Sequence, residues 1–311
     1  MTSLPPIEEE RYYAKRRRKQ GRREDLTSFW FLLPILALFV VLFLVPLVQT
    51  LYFSFTDFNG YSMDMEFLGL ANYRKVFSDA STLQGLGFTI LYAILVTVGV
   101  TAIAIPLAVV LNKKFAGRDF VRSVFFFFSV PSLAIMGMVW KYIFSPMKTG
   151  VVNNVLASFG INPVPWLSNS ALAKFCVIFI AIWAQIGWHA TLYLAFLQSI
   201  PADLYEQATV DGATSWQKFV HITLPQLTPG IVTSTFLLMS GGLKVYDLPY
   251  TLTKGGPGYS TYTVTQSIIQ QGIGQSQYGV GSALAVLFFI ATGIVVSLQM
   301  AVSNLLARRY Q

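Results

Sequence analysis

Chemistry in this chain would have to come from few residues. Its two histidines, His189 and His221, and its single cysteine, Cys176, are far apart in sequence, whereas a metal site needs several such ligands at short spacing. No pair of carboxylates falls within an apolar stretch, as a proton relay would require. The glycine clusters Gly255–Gly258 and Gly272–Gly279 lack the lysine and hydroxyl that would hold a triphosphate and its metal. Neither a catalytic centre nor a metal site is therefore expected.

Three polar clusters remain. Trp183, Gln185, Trp188, His189 and Tyr193 interrupt one apolar run. On a helix, Gln185 shares a face with Trp188, three residues on, and with His189, four on. Rings beside amides suit a hydroxyl-rich solute, although a packed helix interface could use the same residues. Ser240, Gly241, Gly242, Lys244, Tyr246 and Asp247 form the second cluster. Its glycine pair permits close approach or a local break, and Lys244 with Asp247 has the i,i+3 spacing of a charge pair near a membrane interface. The third cluster runs from Ile200 to Ala213. Pro201 can start a helix, Asp203 and Glu206 have capping-box spacing, and Gly212 permits a sharp bend before a second capping box at Thr214 and Gln217. Two short surface helices joined by a turn are expected there, ended or redirected by Pro225 and Pro229.

The elements that must position these clusters are membrane helices. Of 311 residues, 54% are hydrophobic and only 12% charged, about half the charge of an ordinary soluble protein. Mean hydropathy is +0.56. Apolar stretches occur over Phe29–Phe53, Phe88–Leu111, Ser123–Trp140, Phe175–Ala202, Thr228–Leu248 and Gly281–Ala307, each near the roughly 20 residues that cross a bilayer. They are too continuous for barrel strands and lack the polar stripes of soluble bundles. The sequence predicts six helices, with prolines 34, 46, 106 and 131 tolerated inside them. An even count puts both termini on one side. Assigning the N-terminal arm, the 112–122 loop, the 203–220 segment and the C-terminal tail to the cytoplasm gives that side 15 of the 22 Lys and Arg, as positive-inside insertion favours. Eight of these lie in the arm before Phe29, where a topology signal is a simpler reading than nucleic-acid binding. The first apolar stretch is too long for a signal peptide and is followed by no small-residue cleavage site. Cys176 is expected to serve packing.

The stretch Glu206–Pro225, EQATVDGATSWQKFVHITLP, resembles the cytoplasmic signature of permease subunits of binding-protein-dependent ABC importers. Glu206, Gln207 and Ala208 stand at its opening, Gly212 at its glycine, and Ile222, Leu224 and Pro225 at its close. Gln207 replaces the family's first alanine. Leu252–Thr261, LTKGGPGYST, is similar to the outer-loop motif of the carbohydrate-importing branch, of maltose, multiple-sugar and glycerol-phosphate type.

The resemblance implies an all-α type I importer permease. A cytoplasmic basic arm (1–28) would precede a six-helix domain (29–307) containing an ATPase-coupling loop (201–225), with a cytoplasmic tail (308–311). It implies no catalytic activity in this chain. Two separate cytoplasmic subunits would bind ATP and Mg, a second permease would complete a heterodimeric pore, and an extracytoplasmic binding protein would deliver a sugar or oligosaccharide. The alternatives are glycerol phosphate or a small polyol carried by the same machinery, or a secondary transporter or channel. Gln185, Trp188, Gly241, Gly242 and Tyr246 are the expected substrate-pathway residues. Glu206, Gln207, Ala208, Asp211 and Gly212 are those expected to meet the ATPase. The host membrane would be the bacterial or archaeal cytoplasmic membrane.

Overall fold

The computed structural model describes residues 29–62, 64–147 and 150–308. The arm at 1–28 and the tail after Arg308 lie outside them. Among the described residues the architecture is helical, and the only strand-like pairing is an isolated bridge between Thr56 and Phe67.

The first helix, α1 (Phe29–Phe53), belongs to a separate unit that ends at Phe53. No residue of its apolar window is buried, as suits a helix whose solvent is lipid. Pro46 cannot donate to the carbonyl four residues before it, and the helix widens to a π turn over Val40–Leu44 just ahead.

The second unit, from Ser54 onward, is built on two long helices, α3 (Ala80–Asn112) and α7 (Ser170–Gln198), packed side by side. A short α2 (Ala71–Ser78) leads into α3. Asp79 caps α3 by accepting from the amides of Ser81 and Thr82, and Asn169 caps α7 by accepting from those of Ala171 and Leu172. Pro106 is absorbed inside α3. Against this pair lie α10 (Thr228–Leu243) and α11 (Asp247–Thr253), and α10 in turn supports α13 (Tyr278–Arg308). Between α11 and α13 runs α12 (Val264–Ile269), continued by a π turn over Gln270–Gly274. Tyr92, Val96 and Val100 of α3, Val177, Ile180 and Tyr193 of α7, and Leu238, Leu248 and Leu252 form the shared core. Small residues allow the close approaches expected of helices that cannot rely on the hydrophobic effect in lipid. A Cβ on Gly242 would meet the Cα of Ala93, and one on Gly230 the ring of Phe196.

Among the described residues, four helices, α1, α3, α7 and α13 over Tyr278–Ser303, are long and apolar enough to cross a membrane, fewer than the six uninterrupted spans expected. A bent pair, in which α9 (Ser215–Gln226) meets α10 at 65°, counts as a fifth span only if the two helices are taken as one. The third apolar stretch is divided into α4 (Arg118–Phe127) and α5 (Leu133–Ile143). Pro131 therefore sits in a break instead of being absorbed in a helix. It has no amide to donate, and the next residue, Ser132, caps α5 by accepting from the Ile135 amide at 3.4 Å. α6 (Val151–Ser158) is a short helix before α7. Its Asn153 is buried and bonded to Ser145, Val164 and Trp166.

Connectivity sorts the clusters onto two ends. The Asp79 end of α3 bonds to α12 through Val264 N to Thr89 Oγ1 at 3.1 Å, and to the π turn after it through Gln271 Nε2 to Asp79 Oδ2 at 2.6 Å. The other end carries the 199–227 loop, where α7 finishes and α10 begins.

Candidate functional site

At the loop end, the sequence builds two short helices on a rigid corner. α8 (Ala202–Val210) starts after Pro201, and no side chain caps it. Asp203 lies in its first turn, where a carboxylate suits the positive helix end, but the expected Asp203–Glu206 capping box is absent because the helix begins two residues too early, with Pro201 at the N-cap. α8 ends in a left-handed turn at Gly212, φ +75°. The Ala213 amide reaches the carbonyl of Ala208 at 2.9 Å, and the Gly212 amide that of Thr209 at 3.1 Å, the paired bonds of a Schellman end. Thr214 then opens α9 with the expected capping box: its amide donates to Gln217 Oε1 and its hydroxyl accepts from the Gln217 amide. Two further bonds cross the corner, Lys218 Nζ to Thr209 Oγ1 at 2.7 Å and Tyr205 Oη with Thr223 Oγ1 at 3.0 Å.

Glu206, Gln207, Asp211 and Gly212 are exposed on this corner, and Ala208 is half-buried against it. The Glu206 and Asp211 carboxylates make no side-chain bond among the described residues. Beside them stand Val210, 88% exposed, and Trp216, 71% exposed. Sequence reasoning passed over these two as possible contacts. Large apolar side chains placed next to free carboxylates on a braced corner make a surface fit for a protein partner.

In the interior, the five polar residues of α7 divide. Trp183 joins an aromatic cluster, 4.4 Å from Phe128 and 5.3 Å from Trp140 between ring centroids. His189 is buried and shares a 2.7 Å hydrogen bond with Ser234 of α10, and Tyr193 is fully buried. The face expected to join Gln185 to His189 is thus split, because His189 is taken up by packing against α10. Gln185 is half-buried and donates to the Ala181 carbonyl of its own helix at 3.2 Å. Trp188 remains 43% exposed, its ring edge-on to His189 at 4.6 Å.

The second cluster resolves at the glycine pair. Gly242 is buried on Ala93, so its surface is spent on packing α10 to α3; Gly241 is exposed and a Cβ there would meet nothing within 4 Å. α10 ends at Leu243, and the chain breaks before α11. Lys244 and Asp247 therefore do not share a helix, and among the described residues the ion pair found is Arg118 with Asp119 instead. Tyr246 sits in the break, half-buried and stacked on Tyr250 at 5.0 Å.

One element missed in the sequence is the α4–α5 break itself, which docks on the centre of α7. The Trp188 amide lies 3.2 Å from Ser129 Oγ, and a Cβ on Gly187 would run into the Phe125 carbonyl. The available signal was Gly187 inside a membrane helix, since small residues there mark close approach.

Residues 100–310 match the family described as "binding-protein-dependent transport system inner membrane component". The chain belongs to this family. Permeases of the family are the membrane component of an ABC transporter, not its catalytic part, and this permease is an integral membrane protein of type I importer fold. It is 32% identical over 285 residues to the multiple sugar-binding transport system permease MsmF of Streptococcus mutans serotype c, covering 91% of this chain and 98% of that one. It is 30% identical over 269 residues to the trehalose/maltose transport system permease MalF of Thermococcus litoralis, covering 86% and 90%. Its fold is similar to a chain in the crystal structure of a bacterial ABC transporter involved in import of the acidic polysaccharide alginate. That match has a TM-score of 0.79 at 24% identity and covers 94% of this chain and 99% of the other.

Proposed function

We propose that this permease forms one half of the membrane pathway of an ATP-driven importer of sugars or oligosaccharides. The observation that carries this reading is the near full-length similarity to permeases named for multiple sugars and for trehalose and maltose. Glycerol phosphate and small polyols are not favoured, because the relatives named by substrate carry saccharides. A second permease completes the pathway, two ATPase subunits bind ATP and Mg, and an extracytoplasmic binding protein delivers the solute. The similarity of the fold to a transporter crystallised with a pentasaccharide-bound periplasmic protein supports that arrangement.

The α8–α9 corner is the ATPase contact, with Glu206, Gln207, Ala208, Asp211 and Gly212 at its centre and Val210 and Trp216 as apolar neighbours. Both termini and this corner face the cytoplasm, in line with the distribution of basic residues. Gln185, Trp188, Gly241 and Tyr246 face the solute, and Gly242 acts through helix packing. Amides and rings at these positions exchange hydrogen bonds and ring contacts with a sugar without fixing it too tightly to leave.

The test is uptake into proteoliposomes holding the complete transporter, its binding protein and internal ATP. A labelled panel of glucose, trehalose, maltotriose, raffinose, arabinotriose, diacetylchitobiose and glycerol 3-phosphate is offered. ATP-dependent accumulation of at least one saccharide is expected. Accumulation of glycerol phosphate alone, or transport by the permease without ATPases, overturns the reading.

A further inference from the structure

The Leu252–Thr261 segment takes no part in either surface above, yet with the glutamine-rich stretch after it this segment walls a cavity of about 690 Å³. That volume lies within the range of small-molecule sites. The cavity sits at the Asp79 end of α3, away from the α8–α9 corner.

Its walls are braced. Thr253 and Thr261 share a hydroxyl bond of 2.6 Å, Thr261 Oγ1 also donates to the Gly256 carbonyl at 2.9 Å, and the Thr261 amide reaches the Gly255 carbonyl at 3.2 Å. Gly255 has φ +85°, and a Cβ there would press on Tyr262 and Gln266, so a side chain at this position would push into the wall. Two buried glutamines tie the turn to α3. Gln266 donates to the Lys254 carbonyl at 3.0 Å, and Gln271 donates to Asp79 Oδ2 at 2.6 Å and Thr82 Oγ1 at 2.9 Å. The Asp79 carboxylate is further occupied by the hydroxyls and amides of Ser81 and Thr82.

The rim is the reverse. Gln84, Gln270, Gln275 and Gln277 are exposed, and their side-chain amides make no hydrogen bond to the described chain. Each offers donors and an acceptor. Tyr259, 53% exposed, stands edge-on to Tyr262 at 5.3 Å. Tyr250, also in the lining, stacks on Tyr246, the ring proposed above for the solute pathway. Free amides around tyrosine rings on a rigid wall match a sugar, whose hydroxyls exchange hydrogen bonds and whose C–H faces lie on rings. The stack places Tyr246 directly behind a ring that lines this cavity.

We propose that this cavity is an entry subsite that holds the leading sugar units of the incoming saccharide before they pass Tyr246. The proposal rests on the saccharide reading above. It is tested in the complete transporter carrying Cys176→Ser, whose parent thiol is buried, together with Gln270→Cys, using a small methanethiosulfonate reagent and the saccharide that the uptake panel returns. The binding protein loaded with that saccharide should slow labelling at least about fivefold relative to the unloaded binding protein. The double variant Gln270→Ala/Gln275→Ala should raise KM for uptake about three- to tenfold while kcat stays within about twofold, the pattern of lost binding rather than lost turnover. Equal protection by the unloaded binding protein makes the cavity a protein-docking surface and overturns the proposal. So does labelling that occurs in the lone chain but not in the assembled, sugar-free transporter, since a partner subunit then fills the cavity. If a sugar is imported but neither labelling nor KM responds, the subsite fails and the saccharide reading stands; if no sugar is imported, both fall.

Discussion

Replacing Gly212 with alanine isolates what the α8–α9 corner does. Nothing lies within 4 Å of the position a Cβ would take, so the substitution brings no steric clash. Its whole cost comes from holding an L-residue at φ +75°, about 1–2 kcal/mol. That cost falls on the conformation in which the Ala213 and Gly212 amides close α8. If the corner must hold this shape to engage the ATPase, the competent population falls by a factor of about 5–30, tempered by the Lys218–Thr209 and Tyr205–Thr223 bonds that brace it. Asparagine tolerates the left-handed region better than alanine, so Gly212→Asn should recover much of the loss. Subunit co-purification, ATPase stimulation by the loaded binding protein and sugar uptake are measured on the same preparations. Uptake and stimulation should fall several-fold in Gly212→Ala and less in Gly212→Asn, with KM for sugar unchanged. Wild-type behaviour in both variants, or equal loss in both, would refute a role carried by backbone geometry.

Other consequences can be checked on the same system. Gln185→Ala, Trp188→Ala and Tyr246→Ala should each weaken sugar-dependent uptake by about 0.5–3 kcal/mol at matched complex abundance; unchanged sugar dependence in all three would put the pathway on other helix faces. Gly187→Ala should lower the melting temperature of the purified complex, because the new methyl meets the Phe125 carbonyl at a cost of about 1–3 kcal/mol, whereas Gly241→Ala should leave it unchanged. The isolated permease should release no phosphate from ATP, and robust turnover free of contaminants would contradict a purely membrane role. Burial raises the Asp79 pKa, but the hydroxyl and amide bonds from Thr82 and Ser81 outweigh it and hold the value below the ordinary 3.8. The stabilisation is therefore present above that value and is lost as pH falls through the lower folded one, a loss that Asp79→Asn should abolish in melting-temperature profiles.

What was legible in the sequence follows from which forces are local. Continuous apolar runs locate α1, α3, α7 and α13, since the bilayer's thickness is written directly into run length, although α3 begins at Ala80, eight residues ahead of its run at Phe88. The Thr214–Gln217 capping box was equally visible because all its bonds fall within four residues. Asp203 and Glu206 show the same spacing without the box, and the difference is only where Pro201 starts the helix. Periodicity gives the angle of a side chain about its helix but not the neighbour it meets. Gln185 and His189 share a face by spacing, yet Ser234 on α10 claims His189. Gly241 and Gly242 are adjacent and chemically identical, and only the packing of α10 on Ala93 separates an exposed position from a buried one. The division of the third apolar stretch has the same origin. Pro131 is tolerated in a membrane helix only where neighbours meet the freed polar groups; here Ser132 caps a new helix, and the break settles on α7 because Gly187 leaves room for the Phe125 carbonyl. The cavity at the Asp79 end of α3 lay beyond sequence reasoning for this reason too: its glutamines look like a solvated loop until Gln271 reaches back 192 residues to Asp79 and turns that loop into a wall.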